Sequence, residues 1–188
     1  MPPEDYWSSF YDAGCVVSKL ISHRNCTVVE FGFGYGTFTI PAAKRVAGHV
    51  YAFDIEKELA DLVSQKAREA GCRNVHACVR DFVERGTGLK DTSVDHTMLY
   101  NILHVEDPES LLKEAYRILK PGASVSAIHW RSDRDTPRGP SLDIRPKPEQ
   151  CARWMQRAGF IEVAQVDLPC CPYHYALTGV CPPFSLRR

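Results

Sequence analysis

Long apolar runs, net charge and metal-type cysteine spacings are all missing from this chain of 188 residues. No apolar stretch approaches the ~18–20 residues that cross a bilayer, so no membrane association is expected. The 23 basic side chains are matched by 23 acidic ones. A protein built to hold phosphate backbones normally carries a basic excess, which disfavours nucleic acid as a partner. The opening residues, Met1-Pro2-Pro3-Glu4-Asp5-Tyr6-Trp7, lack the basic and then apolar regions of a secretory signal. A cytoplasmic location is the expectation. Eight cysteines occur, but none forms a Cys-x-x-Cys pair, and the common zinc spacings are absent. No metal is expected, and without a secretory signal reduced thiols are expected rather than a disulfide framework.

What is present is a globular composition, 44% hydrophobic and 24% charged, in a length that suits one domain. Apolar runs and helical periodicity alternate along it. Strands are expected at Thr27–Phe31, Val50–Phe53, Val75–Val79, Val94–Tyr100 and Ser124–Trp130, with a final pair at Ile161–Val166 and His174–Val180. Helices are expected at Glu4–Ser22, Thr37–Val46, Lys57–Ala70, Pro108–Leu119 and Gln150–Ala158. This alternation demands an α/β fold, a doubly wound, mostly parallel sheet with helices on both faces. Residues 1–24 are then expected to form a helical cap, 25–131 the strand-and-helix core, 132–148 a long polar loop, and 149–188 a closing helix and strand pair. Ligands of such sheets bind outside the carboxyl ends of the strands.

The first such end reads Glu30-Phe31-Gly32-Phe33-Gly34-Tyr35-Gly36. Glycines at alternate positions permit a tight turn and close backbone approach to a ligand, although a plain structural turn would use them too. A dinucleotide fingerprint starting at Gly32 would need glycine where Thr37 stands, which weakens an NAD-dependent oxidoreductase reading. Asp54 ends the second strand, where a carboxylate can accept from two ribose hydroxyls; an N-cap for the next helix is the plainer role. Asp81-Phe82 follows the third strand in the same position, where an aspartate can accept from an exocyclic amine with an aromatic neighbour over the base.

This series, continued by Asp95–His104 and Leu119-Lys120-Pro121-Gly122, resembles the motifs of class I S-adenosylmethionine-dependent methyltransferases over residues 25 to 180. The resemblance implies a Rossmann-like, three-layer fold with seven strands, the last antiparallel, and S-adenosylmethionine as cofactor. It implies that Gly32, Gly34 and Gly36 shape the methionine pocket, with Glu30 supporting the turn or meeting the amino group. Asp54 would hold the ribose and Ile55 would pack on the adenine. Asp81 and the Phe82 backbone would read the adenine edge, and Asn101 would border the methionine end.

The stretch Leu99-Tyr100-Asn101-Ile102-Leu103-His104 lacks the paired prolines of members that methylate base or glutamine nitrogens. It is similar to the small-molecule branch, which includes quinone and arsenite methyltransferases, and a small-molecule methyl acceptor is expected. A protein or RNA substrate and a catalytically silent nucleotide-binding module remain alternatives. His104 is the candidate base, since its ordinary pKa lies near neutrality; capping the following helix is the competing role. Tyr11, with Tyr6 and Trp7, is placed to close the cofactor site or simply to pack. Trp130 and Arg131 end the fifth strand on the substrate side, and Arg134, Arg138 and Arg145 suit an anionic acceptor or a solvated loop equally. Cys170, Cys171 and Cys181 are soft ligands in principle. Adjacent residues on an extended chain point to opposite sides, however, and burial is the commoner fate of a free cysteine.

Overall fold

Val28, Val29 and Phe31 are enclosed on both sides, as a central parallel strand requires, and the sheet is built outward from them. The structure, a computed structural model, describes residue 6 and residues 10–186. Strand β1 (Val28–Phe31) lies between β2 (Val50–Asp54) and β4 (Val94–Tyr100), parallel to both. Beyond them lie β3 (Val75–Val79) and β5 (Leu119–Trp130), also parallel. Strand β7 (His174–Val180) runs antiparallel between β5 and β6 (Ile161–Val166). The order β3-β2-β1-β4-β5-β7-β6 reverses direction of growth between β1 and β4, which opens a crevice at the carboxyl ends of those strands.

Helices cover both faces. On one, α5 (Pro108–Ile118) and α6 (Pro148–Arg157) bury Leu111, Leu112, Ala115, Ile118 and Met155 against the sheet; each large side chain so buried stabilises the fold by about 1.5–3 kcal/mol. On the other, α1 (Ala13–Leu20) and α2 (Thr39–Arg45) bury Val16, Val17, Leu20 and Ala42. Helix α3 (Lys57–Glu69) packs Val63 near the glycine turn. No described helix is long and apolar enough to cross a membrane.

Four expectations need correction. The expected helix over Glu4–Ser22 is interrupted before α1: Asp12 caps α1 by accepting from the Cys15 N–H at 2.9 Å, which leaves Tyr11 outside the helix. Trp7 lies outside the described residues. A short helix, α4 (Phe82–Arg85), follows β3 and has Asp81 as its N-cap; four residues are too few to show a period. Leu119 opens β5 rather than closing α5, pairing with Val94. Finally, Cys15 and Cys170 form a disulfide across 155 positions, while the other six cysteines are free thiols. Local spacing carries no trace of a pairing so distant.

Candidate active site

The turn after β1 turns through left-handed backbone at Gly32, Gly34 and Gly36, with φ of +76°, +51° and +78°. A side chain is excluded at Gly36 for a second reason, since a Cβ there would stand 2.9 Å from Val63 Cγ2. Asp54 locks this turn to the end of β2: one carboxylate oxygen accepts from the Gly34 N–H at 3.0 Å, the other from Ile55 N–H at 2.8 Å and Glu56 N–H at 3.3 Å. The side-chain cap expected of Asp54 thus serves the turn, and the Glu56 N-cap of α3 makes no side-chain bond.

Beneath the turn Glu30 is 2% exposed. Its carboxylate accepts from the Thr39 hydroxyl at the start of α2. Burial pushes its pKa up to about 8, the Asp54 charge adding to the rise and the Thr39 bond opposing it. Near neutral pH such a group is mostly protonated, and a cation placed beside it would draw it into its carboxylate form. Opposite, Asn101 follows β4 with φ +55°, a strained conformation that asparagine tolerates better than most residues and that clusters at functional sites. Its Nδ2 donates to the Tyr11 hydroxyl at 2.8 Å, while its buried Oδ1 has no hydrogen-bond partner among the described residues.

Glu30, Gly32, Gly34, Asn101 and Tyr11 line one cavity of about 520 Å³ together with Phe38, Tyr100, His104, Trp130 and Arg138, while Asp54 and Gly36 stand just outside it. That size suits a small-molecule ligand. Tyr11 closes one side, edge-on to Phe38 at 5.1 Å and 4.7 Å from the His174 ring. His104 stands at the rim, its ring 5.5 Å from that of His129; the inward part of the ring is desolvated, which lowers its pKa and keeps the imidazole neutral and able to accept a proton. It does not cap α5, because Asp107 does so.

The remaining expected residues separate. Ile55 is 64% exposed beside Asp54, and Asp81 accepts from the Val83 and Glu84 N–H groups; both stand outside the cavity along the strand ends. The Phe82 ring cannot cover a base, since it is buried edge-on against Phe31 at 5.5 Å. Arg131 also leaves the cavity. Alternation along the chain turns it away from Trp130, and Asp133 holds its guanidinium at 2.6 Å in a separate groove with Lys147 and Glu149. Of the loop arginines, Arg145 is buried and donates to the carbonyls of Pro140, Arg131 and Arg138, so it organises the loop. Arg134 faces Asp133. Only Arg138 reaches the cavity. Residues that motif reading missed are Thr39, Phe38 and Tyr100; polar and aromatic side chains one strand or helix away from a glycine turn leave no local signal.

A family model described as "Methyltransferase domain" matches residues 28–122. The chain belongs to this methyltransferase family. It is similar to phosphoethanolamine N-methyltransferase 1 of Triticum aestivum, 28% identical over 170 residues, which are 82% of this chain and 33% of the relative. It is also similar to the ubiquinone/menaquinone biosynthesis C-methyltransferase UbiE of Bartonella tribocorum, 32% identical over 114 residues, 58% of this chain and 42% of the relative. The chain spans less than half the length of these curated relatives. Among solved structures, a SAM-dependent methyltransferase from Aquifex aeolicus superposes with a TM-score of 0.80 at 22% identity, covering 95% of this chain and 94% of that one. The [4+2]-cyclase SpnF superposes at 0.76 with 16% identity, over 90% and 80% of the two chains. These likenesses bear on the fold, a methyltransferase-type Rossmann-like sheet. S-adenosylmethionine is the cofactor that membership of the methyltransferase family brings.

Proposed function

We propose that the protein binds S-adenosylmethionine over the glycine turn and transfers its methyl group to a small-molecule acceptor held between the ends of β4 and β5. The observation that carries this reading is the unsatisfied, buried Oδ1 of Asn101, a residue that lines one cavity with Glu30. A cationic ammonium donor answers both at once, because it supplies hydrogen bonds to an acceptor and charge to a desolvated carboxylate. Asp54 retains acceptor capacity beyond its three backbone bonds for ribose hydroxyls, and the exposed Ile55 offers an apolar face for the adenine.

S-adenosylmethionine supplies an electrophilic methyl on a sulfonium. The chain then needs to align, desolvate and, for a protonated nucleophile, remove a proton. Trp130 and Phe38 present aromatic surface, and His104 is a neutral imidazole at the rim. Arg138 makes no ion pair with a described residue and lies 6.0 Å from the Tyr6 ring centre. A cation without an acidic partner favours an acceptor that is anionic as well as aromatic. The test is a crystal structure with S-adenosylhomocysteine. Asn101 and His104 are expected within about 10 Å of the sulfur, since near-attack geometry brings reacting atoms to ~3–3.5 Å. Sulfur at the Arg131 groove, or beyond that range, contradicts the reading.

A further inference from the structure

A file of polar side chains crosses the apolar layer between the sheet and helices α1 and α2. Ser124 Oγ lies 2.7 Å from His96 Nδ1, His96 Nε2 lies 2.8 Å from Ser126 Oγ, and Ser126 Oγ lies 2.9 Å from the Tyr100 hydroxyl. The β4–β5 register explains the file. His96 is paired with Ser124, Met98 with Ser126 and Tyr100 with Ile128, so alternate residues of both strands share one face. His96, Ser126 and Tyr100 are buried among Met98, Ile128, Val17 and Ile21. Apolar side chains of similar volume would fill that layer without three desolvated polar groups.

The two ends of the file open differently. Tyr100 lines the methyl-transfer cavity beside Glu30. His96 and Ser124 line a second cavity of about 410 Å³ at the opposite end of the strands, which also holds Asp95 and Lys120. Those two charges form a half-exposed ion pair at 2.7 Å, so the second cavity is in contact with solvent.

We propose that Tyr100, Ser126, His96 and Ser124 form a proton conduit from the methyl-transfer cavity to this second cavity. The idea rests on methyl transfer taking place where Tyr100 lines the wall. When a nucleophile's bond to hydrogen is exchanged for a bond to carbon, the carbon–sulfur electron pair stays on sulfur and one proton must leave. Tyr100 Oη takes that proton as it passes its own to Ser126 Oγ. Ser126 passes one to His96 Nε2, His96 releases one from Nδ1 to Ser124, and Ser124 releases one to solvent. Every group starts and ends neutral, and only the direction of the hydrogen bonds is reversed. Burial supports neutral transit, lowering the His96 pKa to about 4 and raising that of Tyr100, so neither ion is stored on the way. Tyr100 is the group that meets the site, whereas Ser126, His96 and Ser124 act through it.

A conduit that resets must populate both hydrogen-bond directions, hence both neutral tautomers of His96; a purely structural network holds one. The experiment is nitrogen NMR of histidine-labelled protein, with the His96 signals assigned through His96→Gln. Wild type is expected to show both ring nitrogens at averaged, intermediate shifts. Ser126→Ala and Tyr100→Phe are expected to collapse them to one tautomer, and Ser126→Thr to restore the averaging. S-adenosylhomocysteine titration of Ser126→Ala, expected to match wild type, checks that the cofactor site is intact. A single tautomer in wild type that persists in Tyr100→Phe overturns the conduit and leaves the methyl-transfer reading untouched. Absent S-adenosylhomocysteine binding in wild type strikes at that reading instead.

Discussion

At the scale of single residues, Glu30 is the most perturbed acid near the glycine turn, and its perturbation has a sign. Its folded pKa, about 8, lies above the ordinary 4.5, so the fold favours the neutral acid. That contribution is fully present below pH 4.5 and is lost as pH rises through 8. Glu30→Gln keeps an acceptor for Thr39 and removes the titration. Without cofactor, the melting temperature of the variant relative to wild type is expected to climb by several degrees between pH 5 and pH 9. A difference that stays constant over that range means that Glu30 is ionised in the fold throughout.

At the scale of elements, the disulfide ties α1 to the segment before β7, and the Asp12 N–H adds a bond to the Cys170 carbonyl at 3.1 Å. Tyr11, next to this junction, walls the cavity. A cross-link of this kind typically contributes about 2–4 kcal/mol. Cys15→Ser is expected to lower stability to urea by about that much and to speed amide exchange in α1 more than in α5. Unchanged stability and exchange would show that the buried Val16, Val17 and Leu20 hold α1 unaided. The seven strands were legible because each is a short apolar or alternating run between glycine or polar breaks, and the parallel direction of the first five follows from their alternation with helices. The glycine turn, Asp54, Asn101, His104 and Trp130 were legible as residues at strand ends. Arg131 was misplaced, since the turn that follows it depends on Asp133 and on Arg145 fourteen positions away. The disulfide and the Tyr100–His96 file depend on contacts between segments that no period records, and helix α4 is too short to show a period.

At the scale of the whole molecule, three histidines are interior: His96, His129 and His174 are 2%, 1% and 4% exposed. Burial is the leading cause that lowers them to about 4, 3 and 3; the His104 and Arg145 charges add to it at His129, and those of His129 and Arg145 at His174. Unfolded histidine titrates near 6.5. The stability these groups contribute is therefore complete above pH 6.5 and is lost as pH falls toward their folded values. Each adds about 1.4 kcal/mol per pH unit to the slope, and Glu30, protonated in the fold and ionised when unfolded over that range, subtracts one such increment, leaving roughly 3. Urea denaturation between pH 6.5 and 5, above the range of ordinary carboxylates, is expected to show that steepness. His129→Asn is expected to reduce it by about half, and an unaltered slope would mean that His129 titrates normally in the fold.

The claim that the crevice at the ends of β1, β2 and β4 holds S-adenosylmethionine meets its most direct test in calorimetric titration. Wild-type protein and Asp54→Asn would each be titrated with S-adenosylhomocysteine and with NAD, with circular dichroism confirming the fold. Charge-assisted hydrogen bonds contribute roughly 1.5–3 kcal/mol, so S-adenosylhomocysteine is expected to bind wild type and to bind the variant about one to two decades more weakly. NAD binding without S-adenosylhomocysteine binding, or equal affinity for the well-folded variant, would contradict it.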